Sequence, residues 1–157
     1  MAENGSDIIH PRENGRTTLH LAVYEHHATT AQMLLSLGSD PDTVDDDGNT
    51  SLHILCSQNP QEKDVDFALQ ICNALIAAHA KINLQNKDGA TPLHLAMESQ
   101  AVDLALVLLA SGADPLIRDT AGDTTHDLLK VWPTPRITEA LNRTINAPPS
   151  LEMREVA

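Results

Sequence analysis

Aromatic residues are almost missing from this chain of 157 residues, which has one Phe, one Tyr and one Trp. A core centred on an aromatic cluster is therefore excluded, and the 41% of hydrophobic residues must pack as aliphatic side chains. Cysteine is nearly absent as well. Cys56 and Cys72 are the only two, at a spacing that matches no metal or redox motif, and both read as small, reduced, buried apolar residues. Basic residues are scarce, 10 Lys and Arg against 22 Asp and Glu, for a formal charge of -12. Phosphate backbones are held mainly by Lys and Arg, so this balance argues against nucleic acid and against an anionic membrane surface. No apolar run approaches the ~18 residues that cross a bilayer. Met1 to Gly5 is polar, without the order of a secretion signal, so the expected location is cytoplasmic or nuclear. Sequons at Asn4, Asn49 and Asn142 then read as chance matches.

What the chain does have is a phrase that recurs four times. Thr17-Thr18-Leu19-His20, Thr50-Ser51-Leu52-His53 and Thr91-Pro92-Leu93-His94 are followed by a worn copy, Thr124-Thr125-His126-Asp127, at intervals of 33, 41 and 33 residues. A glycine stands two residues before each copy (Gly15, Gly48, Gly89, Gly122), and Asp45 and Asp119 precede two of them at a fixed offset. A period near 33 carrying this phrase resembles the ankyrin-repeat family. The resemblance covers residues 12–145. It implies an all-α solenoid of stacked helix-turn-helix units with β-hairpin-like fingers, in repeats of about 12–44, 45–85, 86–118 and 119–145, between a polar tail at 1–11 and another at 146–157.

The third repeat displays the design. Gly89 gives a tight turn its permissive backbone, Thr91 caps a helix predicted from Pro92 to Ser99, and Pro92 occupies its first turn. A second helix from about Ala101 to Ala110 repeats Leu104, Ala105, Val107, Leu108 and Leu109 on a helical period and stops at Gly112. The first repeat follows suit, with helices at about Thr18 to Glu25 and Ala28 to Leu37. Thr29, Thr30 and Gln32 give its second helix the polar face of an end repeat, and Arg136, Glu139, Asn142 and Arg143 do the same for a last helix at about Pro135 to Ile145. The expectation is a four-repeat array capped at both ends.

The second repeat is eight residues longer, with an insert near 60–68 between a helix at Ser51 to about Ser57 and another at about Phe67 to His79. Two readings stand: a solvent loop or N-terminal extension of the second helix, or a loop specific to a partner.

Candidate chemistry is thin. The resemblance assigns His20, His53 and His94 to a structural network of imidazole and Thr hydroxyl that ties turn to helix and repeat to repeat. No His pairs with another His or Cys at the i, i+4 spacing that places two ligands on one helical face. Asp45-Asp46-Asp47-Gly48-Asn49 lacks a calcium loop's twelfth-position Glu, since Cys56 stands there. No nucleophile elbow, phosphate loop or zinc-hydrolase signature occurs. The expectation is no enzyme, no cofactor and no metal.

What remains is surface. In the family, partners meet the finger tips and the exposed ends of the first helices. The resemblance maps these to Glu13, Asn14 and Arg16; Asp46, Asp47 and Asn49; Lys87 and Asp88; and Asp123 on the fingers, and to Tyr24, Glu25, Ser57, Gln58, Glu98, Ser99 and Trp132 on the helices. Between Glu25 and Ala80 nine acids face one base, Lys63, which suits either a solubilising surface or a groove for a basic segment of another protein. The implied role is a protein-binding inhibitor or adaptor, monomeric when unbound. Family precedents are the IκB-like proteins that mask basic segments of Rel-type transcription factors and the small ankyrin inhibitors of cell-cycle kinases, whose second repeat is shortened where this one is lengthened. A structural scaffold subunit is the rival role. The family is also a substrate for an oxygen-dependent asparaginyl hydroxylase, and Asn83, with Leu75 eight residues before it, is the matching position. Lys81 stands where the usual acidic residue would be.

Overall fold

The structure, a computed structural model, describes residues 13–58, 60 and 64–146. The tails at 1–11 and 147–157 and insert residues 61–63 lie outside the described residues. Among the described residues, a 3-10 turn at Glu13–Gly15 is followed by eight α-helices: α1 (Thr18–Tyr24), α2 (Ala28–Ser36), α3 (Ser51–Cys56), α4 (Val65–Ala77), α5 (Pro92–Glu98), α6 (Val102–Ala110), α7 (Thr125–Leu128) and α8 (Pro135–Asn146). They form four successive pairs. Each first helix packs on the first helix before and after it, and each second helix does likewise.

Each first helix begins the same way. Thr17, Thr50, Thr91 and Thr124 are N-caps with extended backbone, and each hydroxyl accepts from the amide three residues on while that residue's side chain reaches back to the cap amide. This reciprocal capping box satisfies two amides that a helix start would leave unpaired. Its second partner is a His in three repeats and Asp127 in the fourth. The turns between helices need left-handed backbone, taken by His26 and Gln100, and the second helices of the first three pairs end on the positive-φ residues Gly38, His79 and Gly112. Aligned on those ends, α4 starts four residues earlier than α2 and α6. The insert therefore divides. One added turn, Val65 to Ala68, extends α4, so this helix begins two residues before the expected Phe67, and the remainder connects it to α3.

Leu19, Leu52, Leu93, Leu34, Leu75 and Leu108 run through the core at equivalent positions, with Cys56 and Cys72 buried among them as free thiols. Burial pushes the Cys72 thiol up to about 12 and drives that of Cys56 upward too. Outward positions of α8 are exposed and polar, Arg136, Glu139, Asn142 and Arg143 among them. Thr29, Thr30 and Gln32 of α2 are likewise exposed, and so are Met33 and Leu37.

Candidate binding face

The fingers are tight turns, with no strand among the described residues. Asp45, Asn86 and Asp119 close them: the amide of each donates to the carbonyl of Asn49, Ala90 or Asp123, and Gly48, Gly89 and Gly122 each donate back to it. The side chains of Asp45 and Asn86 also each accept two amides inside the turn, at 2.9–3.0 Å. Short polar side chains favour turns for this reason. Consecutive fingers are stitched by backbone bonds, Asp46 amide to Asn14 carbonyl, Lys87 to Asp47 and Thr120 to Asp88, at 2.9–3.0 Å. Gly48 and Gly89 permit this approach. A Cβ on Gly89 would lie 2.7 Å from the Thr120 amide nitrogen, and the residue's φ of +72° also favours glycine.

The histidines couple finger to helix. In His20, His53 and His94, Nδ1 lies 2.9 Å from the cap hydroxyl and accepts the cap amide. Nε2 then reaches forward to the carbonyls of Asn49, Ala90 and Asp123, at 3.0–3.2 Å. A ring that accepts at Nδ1 and donates at Nε2 is neutral. Burial lowers the pKa of His20 and His53, against smaller opposing effects of the backbone carbonyls and Asp45. These three side chains are fully buried and unavailable to a ligand.

Of the finger residues, Asn14, Asp46, Asp47, Lys87, Asp88 and Asp123 are exposed, and the side chain of Glu13 lies outside the described residues. Asn49 is half-buried, its amide oxygen accepting from Asn86 at 2.9 Å. Arg16 lies over the Tyr24 ring, 5.4 Å from its centroid, with Nε 3.7 Å from the buried Asp45 carboxylate. This cluster joins the first finger, the end of α1 and the second finger. Sequence reasoning named Arg16 and Tyr24 separately, and no signal in their spacing announced the contact.

At the first-helix ends, Tyr24, Glu25, Ser57 and Glu98 are exposed, as is Val131 beside Trp132, which keeps 36% of its surface. Gln58 and Ser99 have structural work: Gln58 donates to the Tyr24 carbonyl at 3.2 Å and the Ser99 hydroxyl to the Cys56 carbonyl at 2.7 Å, tying successive pairs together. Partial burial raises the Glu98 carboxyl pKa, and the charges of Asp119 and Asp88 add to the effect against the opposing influence of His94. Glu98 thus shares its surroundings with acids of two fingers. Asn83 is exposed, and its amide bridges to the next repeat, accepting from the Asp114 amide at 2.8 Å and donating to the Gly112 carbonyl at 3.3 Å. Asp42 bridges to the Lys81 amide in the same way.

Elsewhere, an open notch of about 730 Å³ separates the α1–α2 turn from the added turn of α4, lined by Glu25, His26, His27, Asp64 and Phe67. Among the described residues no group of three or more His, Cys, Asp or Glu could hold a metal ion, and no helix is long and apolar enough to cross a membrane.

Stacked helix pairs whose fingers are joined by backbone bonds, and whose buried imidazoles each reach into the next unit, define a repeat solenoid that presents one continuous ridge. The chain belongs to the ankyrin-repeat family: the family's sequence model matches in three copies, across residues 1–85 and 19–119. It is similar to human NF-kappa-B inhibitor alpha, at 35% identity over 99 residues, 63% of this chain and 31% of that protein. Mouse nuclear factor NF-kappa-B p105 subunit is 29% identical over 126 residues, 80% of this chain and 12% of that one. Human neurogenic locus notch homolog protein 4 is 33% identical over 106 residues, 67% of this chain and 5% of that one. The chain spans less than a third of the length of each of these relatives. Ankyrin repeats are protein-protein interaction units, and that is the class of function this chain belongs to.

Proposed function

We propose that this protein is a non-enzymatic inhibitor or adaptor, cytoplasmic or nuclear and monomeric when unbound, whose finger tips and first-helix ends receive a basic segment of another protein. One observation carries the reading. Asp46, Asp47, Asp88 and Asp123 stand exposed along one finger ridge, and Glu98 is held toward its protonated form by burial and by the charges of Asp119 and Asp88. A Lys or Arg from a partner relieves such crowding, and acidic potential of this kind speeds encounter with a basic surface. The basic residues available to oppose it are few: Arg16 is engaged by Tyr24 and Asp45, Arg118 donates to the Gly122 carbonyl of the last finger, and Lys87 is exposed among the acids. Tyr24 and Trp132 are the aromatic anchors at the two ends of the face. The relative named as an NF-kappa-B inhibitor supports the inhibitor reading over that of a scaffold subunit.

The test is affinity capture from cell extract with three baits: the parent chain, Asp46→Lys with Asp47→Lys and Glu98→Lys, and Glu139→Lys on the far end of the array. Mass spectrometry should find a protein with a Lys- and Arg-rich segment held by the first and third baits and lost from the second. Equal capture by all three baits would remove the acidic ridge from the account.

A further inference from the structure

The insert of the second repeat puts a side chain where its neighbours have none to spare. With Gly38, His79 and Gly112 aligned as the ends of the second helices, Phe67 falls where the first and third pairs place the left-handed turn residues His26 and Gln100. The added turn of α4 thus carries an aromatic ring, the only Phe of the chain and 49% exposed, to a position that the other two pairs give to a turn. The notch of about 730 Å³ between this added turn and the α1–α2 turn is walled by Phe67, Glu25, Asp64 and His26.

These walls offer acceptors and a ring face. Glu25 is exposed and Asp64 half-buried, and among the described residues neither carboxylate makes an ion pair or a hydrogen bond. Asp64 stands at the N-cap of α4, yet its side chain does not cap the helix, unlike the Thr residues that cap the first helices. His26 holds its Nε2 buried and without a hydrogen-bond partner among the described residues. An imidazole nitrogen accepts in the neutral form of the ring, and a buried polar atom left unpaired costs free energy until a donor reaches it. No Lys or Arg among the described residues lines the notch.

We propose that the notch receives an arginine side chain of a partner protein, its guanidinium against the Phe67 ring and its N–H groups donating to Glu25, Asp64 and His26. A guanidinium matches this set better than an ammonium, because it joins a flat face for an aromatic ring to five donors in a fixed fork and is more weakly hydrated. The described arginines of this chain are engaged elsewhere: Arg16 with Tyr24 and Asp45, Arg118 with the Gly122 carbonyl, Arg136 with Asp103 and Arg143 with Glu139. A different chain is therefore the source. The inference goes beyond the acidic ridge on the fingers and shares only Glu25 with the face proposed above.

The test titrates the full chain with acetyl-Gly-Arg-Gly-amide and with its citrulline and lysine counterparts, each to about 10 mM, and follows the backbone amide resonances. The arginine peptide should shift the amides of residues 25–30 and 64–70 to saturation. The lysine peptide should bind there at least about threefold more weakly, and the citrulline peptide, which keeps the shape without the charge, should leave these amides in place. Asp64→Asn and Phe67→Ala, each at an unchanged melting midpoint, should weaken the arginine response about threefold or more. Equal responses to arginine and citrulline, equal responses to arginine and lysine, or arginine shifts no larger at the notch than at Glu139 would each overturn the proposal. Binding that appears only in Lys63→Ala would overturn it too, by showing the chain's own Lys63 as the occupant. Shifts of the same amides with protein concentration alone would do so by making a second copy the occupant. Finger amides at residues 46–49 and 87–88 report the ridge separately, so shifts there without shifts at the notch would overturn this inference and leave the ridge standing.

Discussion

At the scale of single residues, the fourth repeat explains the other three. His20, His53 and His94 each close a capping box and also reach the next finger, whereas Asp127 closes its box through the Thr124 amide and hydroxyl at 2.8–3.1 Å and pairs with Lys130. Lys130 and the Thr124 groups hold the Asp127 carboxyl far below the usual range. A carboxylate suffices where no described finger lies ahead. Asp127→His should therefore leave the melting midpoint nearly unchanged, while His53→Ala, which leaves the Ala90 carbonyl without its partner and opens a buried space, should cost about 3 kcal/mol in denaturant titration. The same histidines give a pH dependence. Burial sets the folded-state pKa of His20 and His53 below 6.5, so their contribution is intact above pH 6.5 and is lost as pH falls through the folded-state values. Urea midpoints measured from pH 7.5 down to 5 should decline below 6.5, and His20→Gln with His53→Gln should flatten that decline. Glu98 acts with opposite sign, its raised pKa favouring the fold as it protonates, and its exposure keeps that contribution small.

At the scale of elements, the caps and helices were legible because each is set by residues near in sequence. The Thr N-caps, Pro92 in the first turn of α5 and Gly38 and Gly112 after the second helices place those boundaries within two residues. The start of α4 was less legible, since Val65 and Asp66 are neither strong helix signals nor breakers. Side-chain roles at the face were legible as slots and not as orientations. Gln58 and Ser99 occupy surface positions by periodicity, yet both donate to the preceding pair, and the Arg16–Tyr24–Asp45 cluster depends on which way three side chains turn. Finger spacing yields its own prediction. Gly89→Ala places a methyl against the Thr120 amide and should cost about 2–3 kcal/mol, whereas Gly122→Ala meets no atom within 4 Å and should incur only the left-handed backbone term of about 1 kcal/mol. Thermal or denaturant unfolding of the two variants separates close approach from backbone strain.

At the scale of the molecule, the main helix contacts among the described residues run between neighbouring units, so the array is held together in one dimension. Leu52 is fully buried in the second unit, where an unpaired charge is costly. Leu52→Asp should cost at least about 4 kcal/mol and expose α1 and α2 to exchange before α5 and α6, while Asp46→Ala stays within about 0.5 kcal/mol. The ridge that this stack holds in line is the centre of the functional account, and the most direct test of it is the salt dependence of association. With the protein captured by the parent chain as ligand, association rates measured at ionic strengths from about 0.05 to 0.5 M should fall steeply for the parent and only weakly for Asp46→Lys with Asp47→Lys and Glu98→Lys. Rates and salt slopes identical for the two proteins would contradict the claim that the acidic ridge meets the partner.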